Sequence, residues 1–164
     1  MLSVPISFQY GQSLDAFPVD RFVGDAIRVD CRDLDARQPI PPERVPDVNA
    51  DYVVFHTGWD RHWDTERYLD HPFLGPETAT QCAFRGYDVG LDTLSPDPSP
   101  SPNSIPDEPD GYQAHHTLLD NECLIVENLT ELERLPRRFE LRIHPLPLES
   151  DGASVRAVGV PRKG

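Results

Sequence analysis

Two histidines, His115 and His116, stand at the head of a short apolar stretch, and a carboxylate, Glu127, stands at its end. The histidines open Thr117-Leu118-Leu119, a helical turn by pattern; Leu124-Ile125-Val126 then delivers Glu127, followed by Asn128-Leu129. One imidazole and one carboxylate on firm secondary structure make two metal ligands or an acid–base pair. The alternative is two polar residues that merely flank a core strand. The other histidines carry less. His56, His62 and His71 lie around a strand end, match no compact metal motif, and read as edge or loop residues. His144 falls on the polar face of an alternating strand. Asp92 and Asp97 follow another strand, and either cap and form turns or belong to a site. Trp59 and Trp63 either line a pocket for an aromatic ligand or pack in the core. No phosphate-binding loop and no Ser-His-Asp hydrolase signature is present.

These residues need a scaffold, and the periodicity supplies one. Tyr52-Val53-Val54-Phe55 is short and wholly apolar, which predicts a central strand covered on both faces and ending at Thr57-Gly58-Trp59. Tyr87 to Asp92 predicts a second strand, and Gly24 to Asp30 alternates as a half-buried one. Leu14 to Phe22 predicts a turn and a short helix, with Pro18 at a first helical position. Pro76 opens a helix that runs to about Arg85, with Gly86 closing it. Phe139 to His144 alternates cleanly, a strand with one wet face. Pro145-Leu146-Pro147-Leu148 leaves the sheet, and Ser154 to Val160 predicts one last strand. Residues 38–48 are a proline-rich connector. Residues 94–111 hold six prolines among serines and acids, cannot pair into a sheet, and read as a long excursion or a disordered loop. The class is α/β with a mixed sheet, in a single domain over 1–164.

Composition narrows the partners. The chain has 164 residues and a net charge of −13, which argues against nucleic acid. No apolar run approaches the ~20 residues of a membrane span, and Met1 to Ser7 lacks the basic region and apolar core of a signal peptide. Cys31, Cys82 and Cys123 are widely spaced and read as buried thiols of a reducing cytoplasm. Lys163 is the only lysine, every other basic residue is arginine, and aspartate exceeds glutamate. Counter-ions relieve the self-repulsion of so acidic a surface, so we read the charge as adaptation to a high-salt cytoplasm.

A set of motifs in fixed order carries a resemblance. They are Thr57-Gly58-Trp59 with Trp63, Gly75-Pro76-Glu77, Val89-Gly90-Leu91-Asp92-Thr93, His115-His116-Thr117-Leu118-Leu119, Val126-Glu127-Asn128-Leu129, Pro145-Leu146-Pro147-Leu148 and Gly152 to Ala157. Together, over about residues 3–160, they resemble the cyclase family that includes kynurenine formamidase (arylformamidase) and isatin hydrolase. The resemblance implies a swivelling β/β/α domain with a mixed sheet or partial barrel, in dimers or larger assemblies. It implies a metal-dependent hydrolase, using zinc or manganese, that opens amide or lactam bonds. The family signature is His-x-Gly-Thr-His-x-Asp-x-Pro-x-His, with a later histidine twelve residues before the Glu of Glu-Asn-Leu. That spacing selects His115 with Glu127, rather than His116.

The same resemblance implies an incomplete site. With Pro5 on the signature proline and Phe8 after it, Ser3 falls at the bridging aspartate and Ser7 at the catalytic histidine. The two earlier histidines fall before Met1, and the usual N-terminal strands are missing. The expected metal ligands are therefore His115 and Glu127 alone, with no intact catalytic residue. Trp59, Trp63, His116 and Asp92 are the expected substrate pocket. The expectation is a zinc or manganese hydrolase of a small aryl amide, of the type that serves tryptophan-to-kynurenine catabolism, with a degraded metal site. The alternative is a non-catalytic member, holding no metal, that binds a small molecule or a catalytic paralogue. Expected partners are a second copy of the chain or such a paralogue.

Overall fold

The computed structural model describes the backbone of residues 2–5 and, with side chains, residues 14, 17–146 and 152–162. The strands are β1 (Leu2–Pro5), β2 (Val23–Asp30), β3 (Pro39–Ile40), β4 (Tyr52–His56), β5 (Phe73–Leu74), β6 (Asp88–Leu91), β7 (Ile125–Val126), β8 (Arg138–Arg142), β9 (Gly152–Val155) and β10 (Val158–Pro161). Two α-helices accompany them, α1 (Pro76–Phe84) and α2 (Gln113–Leu119). Six strands form one mixed sheet in the order β10-β8-β2-β4-β6-β7. From β2 to β7 the pairings are parallel, and β8 and β10 add antiparallel neighbours at one end. This is the mixed α/β sheet that the periodicity predicts.

Burial explains the strand order. Every residue of β4 and of β6 is buried, as strands covered on both faces require. β8 alternates, with Phe139 and Leu141 inside and Arg138 and Arg142 outside. At Gly90 an added Cβ would come within 3.0 Å of Leu129 and 3.1 Å of Val54, so the absence of a side chain lets the chain after Glu127 cross close over β6. The helices α1 and α2 pack against each other, with Ala79, Cys82, Ala114, Leu118 and Leu119 in the core. The three cysteines are free and buried, and burial pushes their thiols up, to about 12 for Cys31 and Cys82 and about 11 for Cys123. Among the described residues no helix is long and apolar enough to cross a membrane.

Two expectations need correction. The single last strand over Ser154 to Val160 is two strands in different sheets. β9 pairs with β1, β10 pairs with β8, and the chain turns away between them at Arg156-Ala157. The short helix before β2 is a 3-10 turn, Val19–Phe22, which Pro18 precedes rather than opens. The proline-rich residues 94–111 form neither strand nor helix, as expected, but they are tied down as a strap. Leu74 N–H donates to Pro96 O at 2.8 Å, and Arg37 reaches Ser99 O at 3.0 Å, Ser101 Oγ at 3.1 Å and the Glu108 carboxylate. The Asp70 carboxylate accepts from Ser101 Oγ at 2.6 Å and Asn103 Nδ2 at 2.7 Å. Proline removes ladder donors, so side chains from outside the strap replace the backbone bonds it cannot make.

Candidate functional site

Parallel strands present ligand sites at their carboxyl ends. Here β4 ends in His56-Thr57, β6 in Leu91-Asp92, and β7 runs directly into Glu127. Glu127 is buried, at 4% exposure. It is held there by its neighbours. Asn128 takes a left-handed conformation, φ 58°, which asparagine tolerates better than most residues. Its N–H donates to Thr93 O and the Leu129 N–H to Leu91 O, both at 2.9 Å. Tyr68 donates its hydroxyl to Asn128 Oδ1 at 2.8 Å.

His115 arrives from the other side, in the first turn of α2. The residue before this helix, Tyr112, is left-handed and offers no side-chain cap. Asp97, in the strap, does the capping instead. Ala114 N–H donates to Asp97 Oδ1 at 2.7 Å and His115 N–H to Asp97 Oδ2 at 3.0 Å. The same Oδ2 lies 2.6 Å from His115 Nδ1. A carboxylate only accepts, so Nδ1 carries the proton. That leaves Nε2 facing Glu127 Oε1 at 3.4 Å, longer than an ordinary hydrogen bond. It is His115, not His116, that meets Glu127. His116 is exposed beside it, and its N–H donates to Tyr112 O.

The electrostatics follow from this row of three. Burial by itself lowers the His115 pKa, but the Asp97 and Glu127 carboxylates outweigh it and raise the imidazole to about 9. Burial raises the Glu127 carboxyl, and His115 opposes that rise. Without a cation the row is an imidazolium flanked by two carboxylates. With Nδ1 committed to Asp97, Nε2 and Glu127 are the groups placed to hold a metal.

The pair fits two corners of a metal site. Donors on adjacent corners of a zinc tetrahedron, with bonds of about 2.0–2.2 Å, stand roughly 3.3–3.6 Å apart, and Nε2 and Oε1 stand 3.4 Å apart. The rest of the coordination shell is not supplied: among the described residues no group of three or more His, Cys, Asp or Glu could hold a metal. Ser3 lies on β1, which packs against β7, the strand that ends at Glu127. Ser7 lies outside the described residues.

The expected substrate pocket is redistributed. Trp59 is buried and donates Nε1–H to Arg67 O at 3.3 Å, with the Arg67 guanidinium 5.6 Å from its ring. Asp92 is wholly buried and accepts from Thr57 N–H at 2.9 Å, Thr57 Oγ1 at 2.6 Å and Gly58 N–H at 2.6 Å. Burial raises its carboxyl to about 6. Both residues build the turn after β4, where Gly58 has φ 69°, and neither presents a face to a ligand. Trp63 is half exposed and stands edge-on to Tyr68, ring centroids 5.2 Å apart, which connects it to Asn128. Tyr112, exposed, stands edge-on to His115 at 5.9 Å.

Two of the histidines read as edge or loop residues are buried instead. His56 closes β4 with Nδ1 3.3 Å from Arg28 Nη1. His71 is buried with Nδ1 2.8 Å from Pro72 O and Nε2 2.8 Å from Ser99 Oγ. Sequence reasoning left Asp97 between a turn or capping role and a place in a site, and missed its bond to the imidazole. It missed Tyr112 and Arg37 altogether. An aromatic residue three positions before His115 was a usable signal for Tyr112, while nothing local marks Arg37.

This fold is one seen in solved hydrolases. An isatin hydrolase bound to the product analogue thioisatinate superposes with a TM-score of 0.82 over 98% of this chain and 71% of its own, at 19% identity. A potential metal-dependent hydrolase with cyclase activity gives 0.76 over 99% and 79%, also at 19% identity. These likenesses concern the fold. In sequence, a kynurenine formamidase of Salinibacter ruber (strain DSM 13855 / M31) is 35% identical over 154 residues, which are 90% of this chain and 68% of that protein. The family profile described as "Putative cyclase" matches residues 3–98. The chain belongs to this cyclase family.

Proposed function

We propose that the protein works in hydrolysis of the C–N bond of a small aryl amide or lactam, and that it contributes His115 and Glu127 as one half of a divalent metal centre. The observation that carries this is the row Asp97–His115–Glu127, an imidazole between two buried carboxylates, with Nε2 and Oε1 at the spacing of two ligands. The family membership supports it, as do the names of the relatives, a formamidase and an isatin hydrolase. A zinc or manganese ion held there would act as a Lewis acid on the amide carbonyl. This chain's own part is to bind it through Nε2 and Glu127, and to keep Nδ1–H on Asp97. Tyr112, edge-on to His115, and Trp63, linked to Asn128 through Tyr68, offer exposed aromatic faces for an aryl group.

The site is degraded in this reading. Ser3 and Ser7 stand where the family resemblance puts the bridging aspartate and the acid–base histidine, and a serine hydroxyl replaces neither. The protein then holds metal weakly by itself, and assembles with a second copy or with a cyclase-family paralogue in a high-salt cytoplasm. A clean monomer by light scattering in molar salt counts against the assembly.

The test is metal analysis joined to an assay on an N-formyl aryl amine, with zinc or manganese added, for the wild type and His115→Ala. The expected result is less than one metal per chain and slow hydrolysis that His115→Ala abolishes. Near-stoichiometric metal that survives dialysis overturns the half-site. A second reading, a non-catalytic member that binds a small molecule, is favoured by the lack of a third donor among the described residues. An aryl ligand bound without metal uptake and without any hydrolysis decides for it.

A further inference from the structure

Asp97 does two jobs with one carboxylate. Its Oδ1 accepts from Ala114 N–H, and its Oδ2 accepts from both His115 N–H and His115 Nδ1–H, at 2.7, 3.0 and 2.6 Å. It is almost wholly buried, and it stands on the strap, not on α2. The backbone bonds fix where the helix begins and therefore where the His115 Cα stands. The side-chain bond fixes the rotation of the ring and which nitrogen carries the proton. A neutral imidazole has one donor and one acceptor nitrogen. With Nδ1 committed as donor to Asp97, the lone pair that a metal would take by displacing the second proton is on Nε2, and Nε2 is the nitrogen that faces Glu127.

We propose that Asp97 is the positioning residue of this site: it keeps the Nδ1–H of His115 bonded to itself with Nε2 aimed at Glu127, and it ties that orientation to the first turn of α2. The proposal rests on the reading of His115 and Glu127 as a metal-ligand pair only for its effect on metal affinity. The orientation itself does not depend on any metal. A carboxylate that receives the second N–H of a liganding histidine raises ligand basicity and fixes the ring, and its loss typically weakens metal binding about 10- to 100-fold.

The experiment uses the full chain labelled with 15N-histidine, in molar salt, with His115 assigned by its disappearance in His115→Ala. Three proteins are compared: wild type, Asp97→Asn and Asp97→Ser. Both variants retain an oxygen acceptor for a helix N–H, but the amide is a weaker acceptor for Nδ1–H and the serine is too short to reach it. The first readout is the Nδ1–H resonance of His115 in metal-free protein. The second is the dissociation constant for cobalt(II), followed by its effect on the same resonances.

The expected result is a protected, downfield Nδ1–H in the wild type that is lost or shifted upfield in both variants, while the amide spectrum of the core is retained. Cobalt affinity falls about 10- to 100-fold in the variants. An Nδ1–H signal unchanged in a folded variant overturns the proposal, and so does unchanged cobalt affinity where cobalt shifts the wild-type His115 resonances. If one variant does not fold, the other decides. If cobalt leaves the wild-type His115 resonances unmoved, the ligand-pair reading fails, and the Nδ1–H comparison still decides whether Asp97 sets the ring.

Discussion

His71 shows how a single buried side chain ties stability to pH. Burial pushes its imidazole down to about 4, from 6.5. In the unfolded chain it gains its proton near 6.5, while the folded protein resists until about 4. Stability is therefore intact above pH 6.5 and falls as the pH drops, by about 3 kcal/mol once pH 4 is reached. Asp92 acts with the opposite sign. Its carboxyl is raised by burial to about 6 from 3.8, so the folded protein takes up that proton first and gains stability as the pH falls through the same window. The two effects offset each other in the wild type, so the difference between wild type and His71→Asn is the informative quantity. In denaturant titrations the wild-type advantage should shrink by about 3 kcal/mol between pH 7 and pH 4; two parallel curves would refute this account of His71. Legibility at this scale tracks sequence distance. His115 and Glu127 could be read because their spacing and neighbours repeat a family pattern. The Asp97 bond to His115 spans eighteen residues and a strap with no periodicity, so only its capping chemistry showed. Trp59 and Asp92 stood open between a pocket and a packed core or turn, because the same polar and aromatic types serve both and long-range packing chooses between them.

At the scale of elements, the strap and α2 are the parts that hold the site in place. Arg37 is buried with its guanidinium between the Glu108 and Asp70 carboxylates. Arg37→Met removes the cation and leaves both acids uncompensated, which should cost about 3–5 kcal/mol in stability. The expected signs are a lower denaturation midpoint and faster protease cleavage within residues 94–111. A variant as stable and as resistant as the wild type would show that the strap needs no such anchor. The apolar face of α2 provides a second check. Leu118 is fully buried, and Leu118→Ala should destabilise by about 2–5 kcal/mol; a change below 1 kcal/mol would mean that α2 is not packed as described. The parallel strands β4 and β6 were legible because continuous apolar runs demand burial on both faces. The break between β9 and β10 was not, since Arg156-Ala157 carries no proline or glycine and the strands part only because their partners lie in different sheets.

For the whole molecule, charge sets the terms. With a net charge of −13, repulsion among carboxylates opposes compaction in dilute salt. Screening also weakens exposed pairs such as Arg32–Asp30 and Arg134–Glu131, but such pairs contribute little. The less exposed pairing of Arg21 with Asp88 is screened less. Relief of repulsion should dominate, and the thermal midpoint should rise from low salt to about 1 M potassium chloride, where the Debye length is about 3 Å. A midpoint that falls over that range would remove salt adaptation from the account. The strap has one further consequence, and it concerns heredity rather than energy. Arg37 holds the strap, the strap carries Asp97, and Asp97 turns His115. A blind screen for inactive variants should therefore return changes at Arg37, Asp70 and Glu108 alongside those at His115 and Glu127. Selection on the reaction would act on residues that no substrate ever touches.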